Sequence, residues 1–257
     1  MNSDKLNIVI LGAGNLAWHL SQECLKKNHN VLQIYNRTKK KGEKLSKKLK
    51  CEFTSKLENV NHNADVYILC ISDKSITEIA NSLPIENKLI VHTSGAVHQD
   101  LISKNKRGVL YPLQTFSKDR AIDFREIPFC IEANYENDKQ TLIKLAKTLS
   151  NKVYEMNSDE RKILHLAAVF ANNFSNFMYS ISEDILCKNN ISFELLKPLI
   201  IETANKIISH SPKEAQTGPA IRNDQTSIEI HLKNLKNRNY YDIYKILSEK
   251  LRGENRI

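Results

Sequence analysis

Near the start of the chain, Gly12-Ala13-Gly14-Asn15-Leu16-Ala17 has the residue types and spacing of a phosphate-binding turn. It follows the apolar run Ile8-Val9-Ile10-Leu11 and opens a stretch of helical composition that reaches Lys27. In G-x-G-x-x-A between a strand and a helix, the first glycine permits a tight turn and the second lets a pyrophosphate approach the backbone. The small sixth residue lets helix and strand pack closely. Free N–H groups and a partial positive charge at the helix N-terminus complete an anion site. Gly12, Gly14, Asn15 and Leu16 are therefore expected to hold a dinucleotide.

The end of the second apolar run selects the cofactor. Sites for NAD usually place Asp or Glu about 20 residues after the turn, on the ribose 2′-OH. Here the sequence reads Tyr35-Asn36-Arg37-Thr38, with no acid. A guanidinium suits a 2′-phosphate, and the Thr38 hydroxyl adds a donor, with Asn36 beside them. The expected cofactor is NADP(H). The apolar run that begins at Ala64 ends at Ile71-Ser72-Asp73. In a parallel sheet the carboxyl ends of strands face the ligand, so Ile71 and Ser72 are expected at the cofactor. Asp73 either caps the next helix or touches the ligand.

Candidate chemistry lies in three further strings. His92-Thr93-Ser94-Gly95 and Tyr111-Pro112-Leu113-Gln114-Thr115-Phe116 end the fifth and sixth apolar runs. Ser94 or His92 can donate a hydrogen bond or proton to a carbonyl or imine under reduction, with Gln114 on the substrate side. His92 equally reads as a core histidine satisfied by backbone. Later, His165, Asn172 and Asn176 recur at spacings of seven and four, which places them on one face of a long helix, with Asn173 one step round. His165, the histidine of that face, is the candidate general acid, with Asn172 in the catalytic set and Asn173 toward substrate. The alternative is a structural histidine at a domain seam. Arg222 and Asp224, after Thr217-Gly218-Pro219, are either substrate contacts or a solvent pair after a proline turn.

These residues need a scaffold. Apolar runs at Leu6 to Leu11, Val31 to Tyr35, Cys51 to Thr54, Ala64 to Ile71, Lys88 to Thr93, Gly108 to Leu113, Ile127 to Ile131 and Lys152 to Glu155 read as strands. Helical stretches between them make the pattern that of βαβ units and a parallel sheet. After Asn157 the periodicity is helical throughout, including a long segment from Ile163 to Leu186. The expected class is α/β: a doubly wound sheet over residues 1–155, followed by an all-helical domain over 156–257 and joined by a rigid junction. With 257 residues, 41% hydrophobic and 26% charged, the composition is that of an ordinary globular protein. The sequence has no apolar run of about 18 residues and no secretory signal, so neither a membrane nor export is expected. The five cysteines are widely spaced without C-x-x-C. They read as reduced thiols of a cytoplasmic protein, with no disulfide framework or metal site.

Charge narrows the partners. Of the net +9, the first fifty residues hold most, concentrated between Arg37 and Lys50. A nucleic-acid stripe would interleave aromatics with these bases, and none appear. The stripe reads instead as Arg37 plus one of Lys39, Lys40 or Lys41 at the cofactor, followed by a solvated lysine-rich helix face. No nucleic-acid partner is expected.

The strings Tyr111 to Phe116, His165-Leu166-Ala167-Ala168-Val169-Phe170-Ala171-Asn172-Asn173-Phe174, and Thr217-Gly218-Pro219 through Arg222, Asp224, Thr226 and His231 together resemble one family. This is the Rossmann-like proteins with a DUF2520 domain, regarded as NADP oxidoreductases. The resemblance spans nearly the whole chain. Tyr111 stands where members of that family more often carry His. The architecture is also similar to the wider group of pyrroline-5-carboxylate reductase, ketopantoate reductase and the β-hydroxyacid dehydrogenases. That similarity implies a Rossmann domain, a helical C-terminal domain helping to form the substrate cleft, and a homodimer. The β-hydroxyacid dehydrogenases use a helix Lys and Asn, where this chain offers His165 with Asn172 or Asn173. The expected activity is NADP(H)-dependent reduction of a small carbonyl or imine compound in an interdomain cleft. The alternative is a non-catalytic NADP(H)-binding sensor.

Overall fold

The computed structural model describes residues 5–236 and 239–253. Eight strands form one sheet: β1 (Asn7–Leu11), β2 (Asn30–Tyr35), β3 (Glu52–Thr54), β4 (Val66–Leu69), β5 (Leu89–His92), β6 (Arg107–Pro112), β7 (Phe129–Ala133) and β8 (Val153–Glu155). Their order is β3-β2-β1-β4-β5-β6-β7-β8, so the winding reverses between β1 and β4. Helices α1 (Asn15–Lys26), α2 (Lys39–Leu49), α3 (Asp73–Ser82) and α4 (Glu136–Leu149) connect them.

Alternation along the strands explains the layering. Ile8 and Ile10 of β1 pack with Ala17, Leu20 and Cys24 of α1, Leu45 of α2 and Leu142 of α4. Their neighbours Val9 and Leu11 point the other way, to Ile76 and Ala80 of α3. Both faces of the sheet are covered, which is why β1 and β4 read as unbroken apolar runs rather than as alternating ones. Each Ile, Leu or Val side chain removed from water in this way contributes about 1.5–3 kcal/mol.

One pairing departs from the all-parallel expectation: β7 runs antiparallel to β6. Residues 113–128 supply no crossover helix, only a short 3-10 turn at Phe124–Glu126, so the chain returns alongside the strand it has just left. Parallel pairing resumes with β8, after α4 provides the crossover.

The chain separates into two compact units, Met1–Val169 and Phe170–Ile257. The first runs past residue 155 because helix α5 (Ser158–Ala168) is tied back to the sheet. Arg161, wholly buried, and Ser158 both bond Glu132 of β7. Asn157 starts α5 with a capping box, accepting from Glu160 N while the Glu160 carboxylate accepts from Asn157 N. In the second unit the regular elements among the described residues are all helical: α6 (Ser175–Cys187), α7 (Lys197–Ser209), α8 (Pro212–Ala215), α9 (Gln225–Leu235) and α10 (Tyr241–Gly253). Between α5 and α6, Val169–Phe174 is a π-helical segment. Among the described residues no helix is long and apolar enough to cross a membrane.

Candidate functional site

The carboxyl ends of β1, β2, β4 and β5 open on a cleft of about 490 Å³ within the first unit. Gly12, Gly14, Asn15 and Leu16 line it from the turn, Asn36, Arg37, Thr38 and Lys41 from the end of β2 and the start of α2, and Ile71, Ser72 and Asp73 from the end of β4. Thr93 and Ser94 reach it from the end of β5. The nine residues expected to bind cofactor therefore meet in one place.

Local backbone chemistry shapes the turn. Gly12 has φ +125°, and a Cβ there would stand 2.1 Å from the Cys70 carbonyl oxygen, so only glycine fits. Its N–H donates to the Tyr35 carbonyl at 2.7 Å, locking the turn to β2. At Gly14 a Cβ would meet nothing within 4 Å, which leaves the backbone open to a ligand. Gly14 caps α1 and Thr38 caps α2 without any side-chain bond, and neither helix has an acid in its first turn. Two helix N-termini with uncommitted N–H groups thus border the cleft, together with the cations Arg37 and Lys41. Asn36 steadies the corner, its Nδ2 donating to the Thr38 carbonyl at 2.7 Å. The donor set fits a dinucleotide carrying an extra phosphate. At β4, Ser72 is the cap of α3 and Asp73 its first residue, where a carboxylate complements the helix dipole.

A second cluster adjoins Ser94. The Ser94 hydroxyl oxygen accepts from the Ala96 and Val97 amides at 3.1 Å each, so its own proton remains free to donate. Beside it Gly95 is pressed between two rings: a Cβ there would lie 2.7 Å from His165 Nδ1 and 2.8 Å from Tyr111 Cζ. The Tyr111 hydroxyl and His165 Nδ1 are 3.1 Å apart, with the rings edge-on. Burial pushes the Tyr111 phenol up to about 12, so it is protonated near neutrality and holds a proton that it can share with Nδ1. Beneath the cluster, Arg161 donates through Nε to the Ser94 carbonyl at 3.2 Å and through Nη2 to the Val97 carbonyl at 2.6 Å.

Other candidates fall elsewhere. His92 is wholly buried and does not line the cleft. Its Nδ1 accepts from the Ser94 amide at 3.2 Å, and burial, reinforced by the Arg161 charge, lowers its pKa to about 3. A neutral imidazole in the core cannot be the proton donor that its place at a strand end suggested. Gln114 is exposed and folds back on the Thr115 amide at 2.8 Å. Asn172 and Asn173 lie in the π segment, whose i→i+5 bonding adds a residue to the turn. The seven-residue register from His165 to Asn172, valid for an uninterrupted α-helix, does not carry through it. Asp224 caps α9, accepting from the Ser227 amide at 3.0 Å and hydroxyl at 2.7 Å. Those bonds, and then the charge of Arg222, hold its carboxyl below the usual range. The two form no ion pair, and Arg222 lies in the turn before α9. No group of three His, Cys, Asp or Glu among the described residues is placed to hold a metal ion.

Comparison with known proteins agrees with this layout. Residues 7–95 match the family described as NADP oxidoreductase coenzyme F420-dependent, and residues 127–251 match the domain of unknown function DUF2520. A candidate NADP oxidoreductase of Bacteroides fragilis is 41% identical, with a TM-score of 0.91 over 97% of this chain and 99% of the other. The chain belongs to the DUF2520 family of NADP oxidoreductases. A protein of Thermotoga maritima is 25% identical, with a TM-score of 0.78 over 94% of this chain and 98% of its own. At the level of fold alone, the chain is similar to an imine reductase of Myxococcus stipitatus in complex with NADP+. That enzyme is 16% identical, with a TM-score of 0.67 over 96% of this chain and 93% of its own. A search of curated proteins gives no match.

In this family member several site residues escape sequence reasoning. Tyr111 stood out only as a departure from the family's usual His, and its bond to His165 spans 54 positions. Arg161 drew no expectation of its own, and its bond to Glu132 spans 29 positions.

Proposed function

We propose that the chain is an NADP(H)-dependent reductase of a small carbonyl or imine compound. The observation that carries this reading is the convergence of the cofactor cleft, through Ser94, with the His165–Tyr111 pair packed on Gly95. NADPH, when bound, supplies the hydride. The backbone N–H groups of Gly14, Asn15 and Leu16 hold the pyrophosphate, while Arg37 and Thr38, oriented by Asn36, hold the 2′-phosphate. Ile71 and Ser72 line the path between them. Ser94 donates a hydrogen bond to the substrate heteroatom, and His165, oriented by Tyr111 at Nδ1, is the proton donor.

The imine reductase that shares the fold suggests an imine as the first substrate class to try. The decisive experiment is a screen of cyclic imines, oxo acids and aldehydes for NADPH oxidation by wild-type protein and His165→Ala. Turnover lost in the variant, with NADP+ affinity retained, is the expected result. NADP+ binding without turnover on any class would favour the sensor reading instead. A preference for NADP+ over NAD+ that falls at least tenfold on Arg37→Ala checks the 2′-phosphate assignment.

We also propose a homodimer assembled through the second unit. Phe170, Phe177, Leu195, Leu199 and Ile208 are exposed there, whereas its buried apolar side chains among the described residues are Ile181, Ala220, Ile228 and Leu235. A second copy of the same face would cover that surface. Sedimentation of the wild type as a dimer, and of Phe177→Asp with Leu199→Asp as a monomer, is expected. The proposed compartment is the cytoplasm.

A further inference from the structure

A lysine outside every cofactor motif reaches the phosphate turn. After β6 the chain crosses the start of α1 and is clasped there. Asn15 Nδ2 donates to the Phe116 carbonyl at 2.7 Å, and His19 Nε2 lies 2.8 Å from the Ser117 carbonyl. The His19 and Phe116 rings meet at 5.8 Å. These contacts deliver Lys118, whose Nζ donates to the carbonyl of Ala13, between the two glycines of the turn, at 3.0 Å. An ammonium has three N–H donors, and that bond uses one.

Lys118 is not alone. Its Nζ lies 5.3 Å from the ring centre of Trp18, with Lys44 at 5.9 Å and Lys48 at 5.1 Å around the same ring. Among the described residues, no carboxylate forms an ion pair with Lys41, Lys44, Lys48 or Lys118. Burial, and then the charges of Lys41 and Lys44, lower the Lys118 pKa from its ordinary value. Like charges gathered without a counter-ion repel one another, and a phosphate dianion among them removes that repulsion. The side of the cleft is also defined. Lys41 lines it together with Arg37 and Thr38, and Lys41 is the first charge that Lys118 feels.

We propose that Lys118 is a second cation for the adenosine 2′-phosphate of NADP(H), carried to the cleft rim by a loop clasped on α1. This rests on the reading of Arg37 and Thr38 as the 2′-phosphate site. Lys118 is then a specificity residue supplied from 81 positions beyond Arg37. Trp18, the only tryptophan of the chain, stands against it and reports occupancy.

The test is titration of wild type, Lys118→Ala and Lys118→Arg with NADP+, NAD+, 2′-AMP and 5′-AMP, followed by calorimetry and Trp18 emission. Lys118→Ala should weaken NADP+ and 2′-AMP about tenfold and leave NAD+ and 5′-AMP within twofold, as loss of one charge-assisted contact predicts. Lys118→Arg should keep most of the NADP+ affinity, and 2′-AMP should change Trp18 emission where 5′-AMP does not. Equal weakening of NADP+ and NAD+, or no weakening, overturns the assignment while leaving Arg37 in place. A wild type that fails to prefer NADP+ over NAD+ instead removes the 2′-phosphate reading on which it rests.

Discussion

Arg161, with no exposed surface, donates to the Glu132 carboxylate at 2.5 Å, joining α5 to β7. The rest of its guanidinium holds the Ser94 and Val97 carbonyls and the Ser158 hydroxyl. Five N–H donors in a fixed fork let one side chain bind a strand, a loop and a helix start at once. Removing one partner of a buried pair leaves an uncompensated charge and costs about 3–5 kcal/mol. Glu132→Ala is therefore expected to lower the melting temperature by on the order of 10 °C in a circular-dichroism melt. Replacing both residues by Leu and Met should recover much of that loss. A single-variant shift within about 2 °C would show the pair to be dispensable.

His92 makes stability fall in acid. Its folded pKa of about 3 lies below the ordinary 6.5, because burial and the Arg161 charge disfavour the imidazolium. The folded state thus binds fewer protons than the unfolded state below pH 6.5. Its contribution is complete above pH 6.5 and is lost as pH falls from there towards 3. Each unit of separation is worth about 1.4 kcal/mol. In urea unfolding between pH 7 and 4, His92→Gln should show a visibly flatter decline than wild type. Parallel curves would mean that His92 does not set the acid limb.

The sheet was legible because its signal is local. Eight apolar runs became eight strands, since a strand buried on both faces, such as β4, needs every side chain apolar. The turn was legible for a related reason: Gly12 answers a backbone demand, φ +125°, that glycine alone meets easily. What the sequence hid depends on distant pairing or on helix periodicity. Arg161 with Glu132, Tyr111 with His165, and Lys118 with Ala13 are each joined across 29, 54 and 105 positions. His92 looks the same in sequence whether it ends in a cleft or beneath one. The π segment defeated the His165–Asn172 register because a single extra residue in a turn leaves no compositional trace.

The two glycines of the turn separate fold from binding. Gly12→Ala forces a Cβ to 2.1 Å from the Cys70 oxygen at a φ that alanine rarely adopts, so it should destabilise the protein as well as abolish NADP+ binding. At Gly14 φ is −75° and a Cβ has open space, so Gly14→Ala should melt within about 2 °C of wild type. Its methyl group nevertheless projects where the pyrophosphate must approach the backbone, and NADP+ affinity should fall at least tenfold. Calorimetry and thermal melts on the two variants check both halves. A Gly14→Ala protein that binds NADP+ normally would place the phosphates elsewhere.

Tyr111 and His165 should behave as one unit. The phenol, raised to about 12, stays protonated through the working range and lies 3.1 Å from His165 Nδ1, so it orients the imidazole. Tyr111→Phe removes that bond and keeps the ring against Gly95, while His165→Ala removes the proton itself. General-acid catalysis of this kind contributes about 10²–10⁴ in rate. With an imine that the protein turns over, His165→Ala should lower kcat by about 10² or more, and Tyr111→Phe by about tenfold, with NADP+ affinity unchanged in both. Because the tyrosine acts only through the histidine, the double variant should be no slower than His165→Ala alone. Additive losses would assign Tyr111 a contact with the substrate of its own.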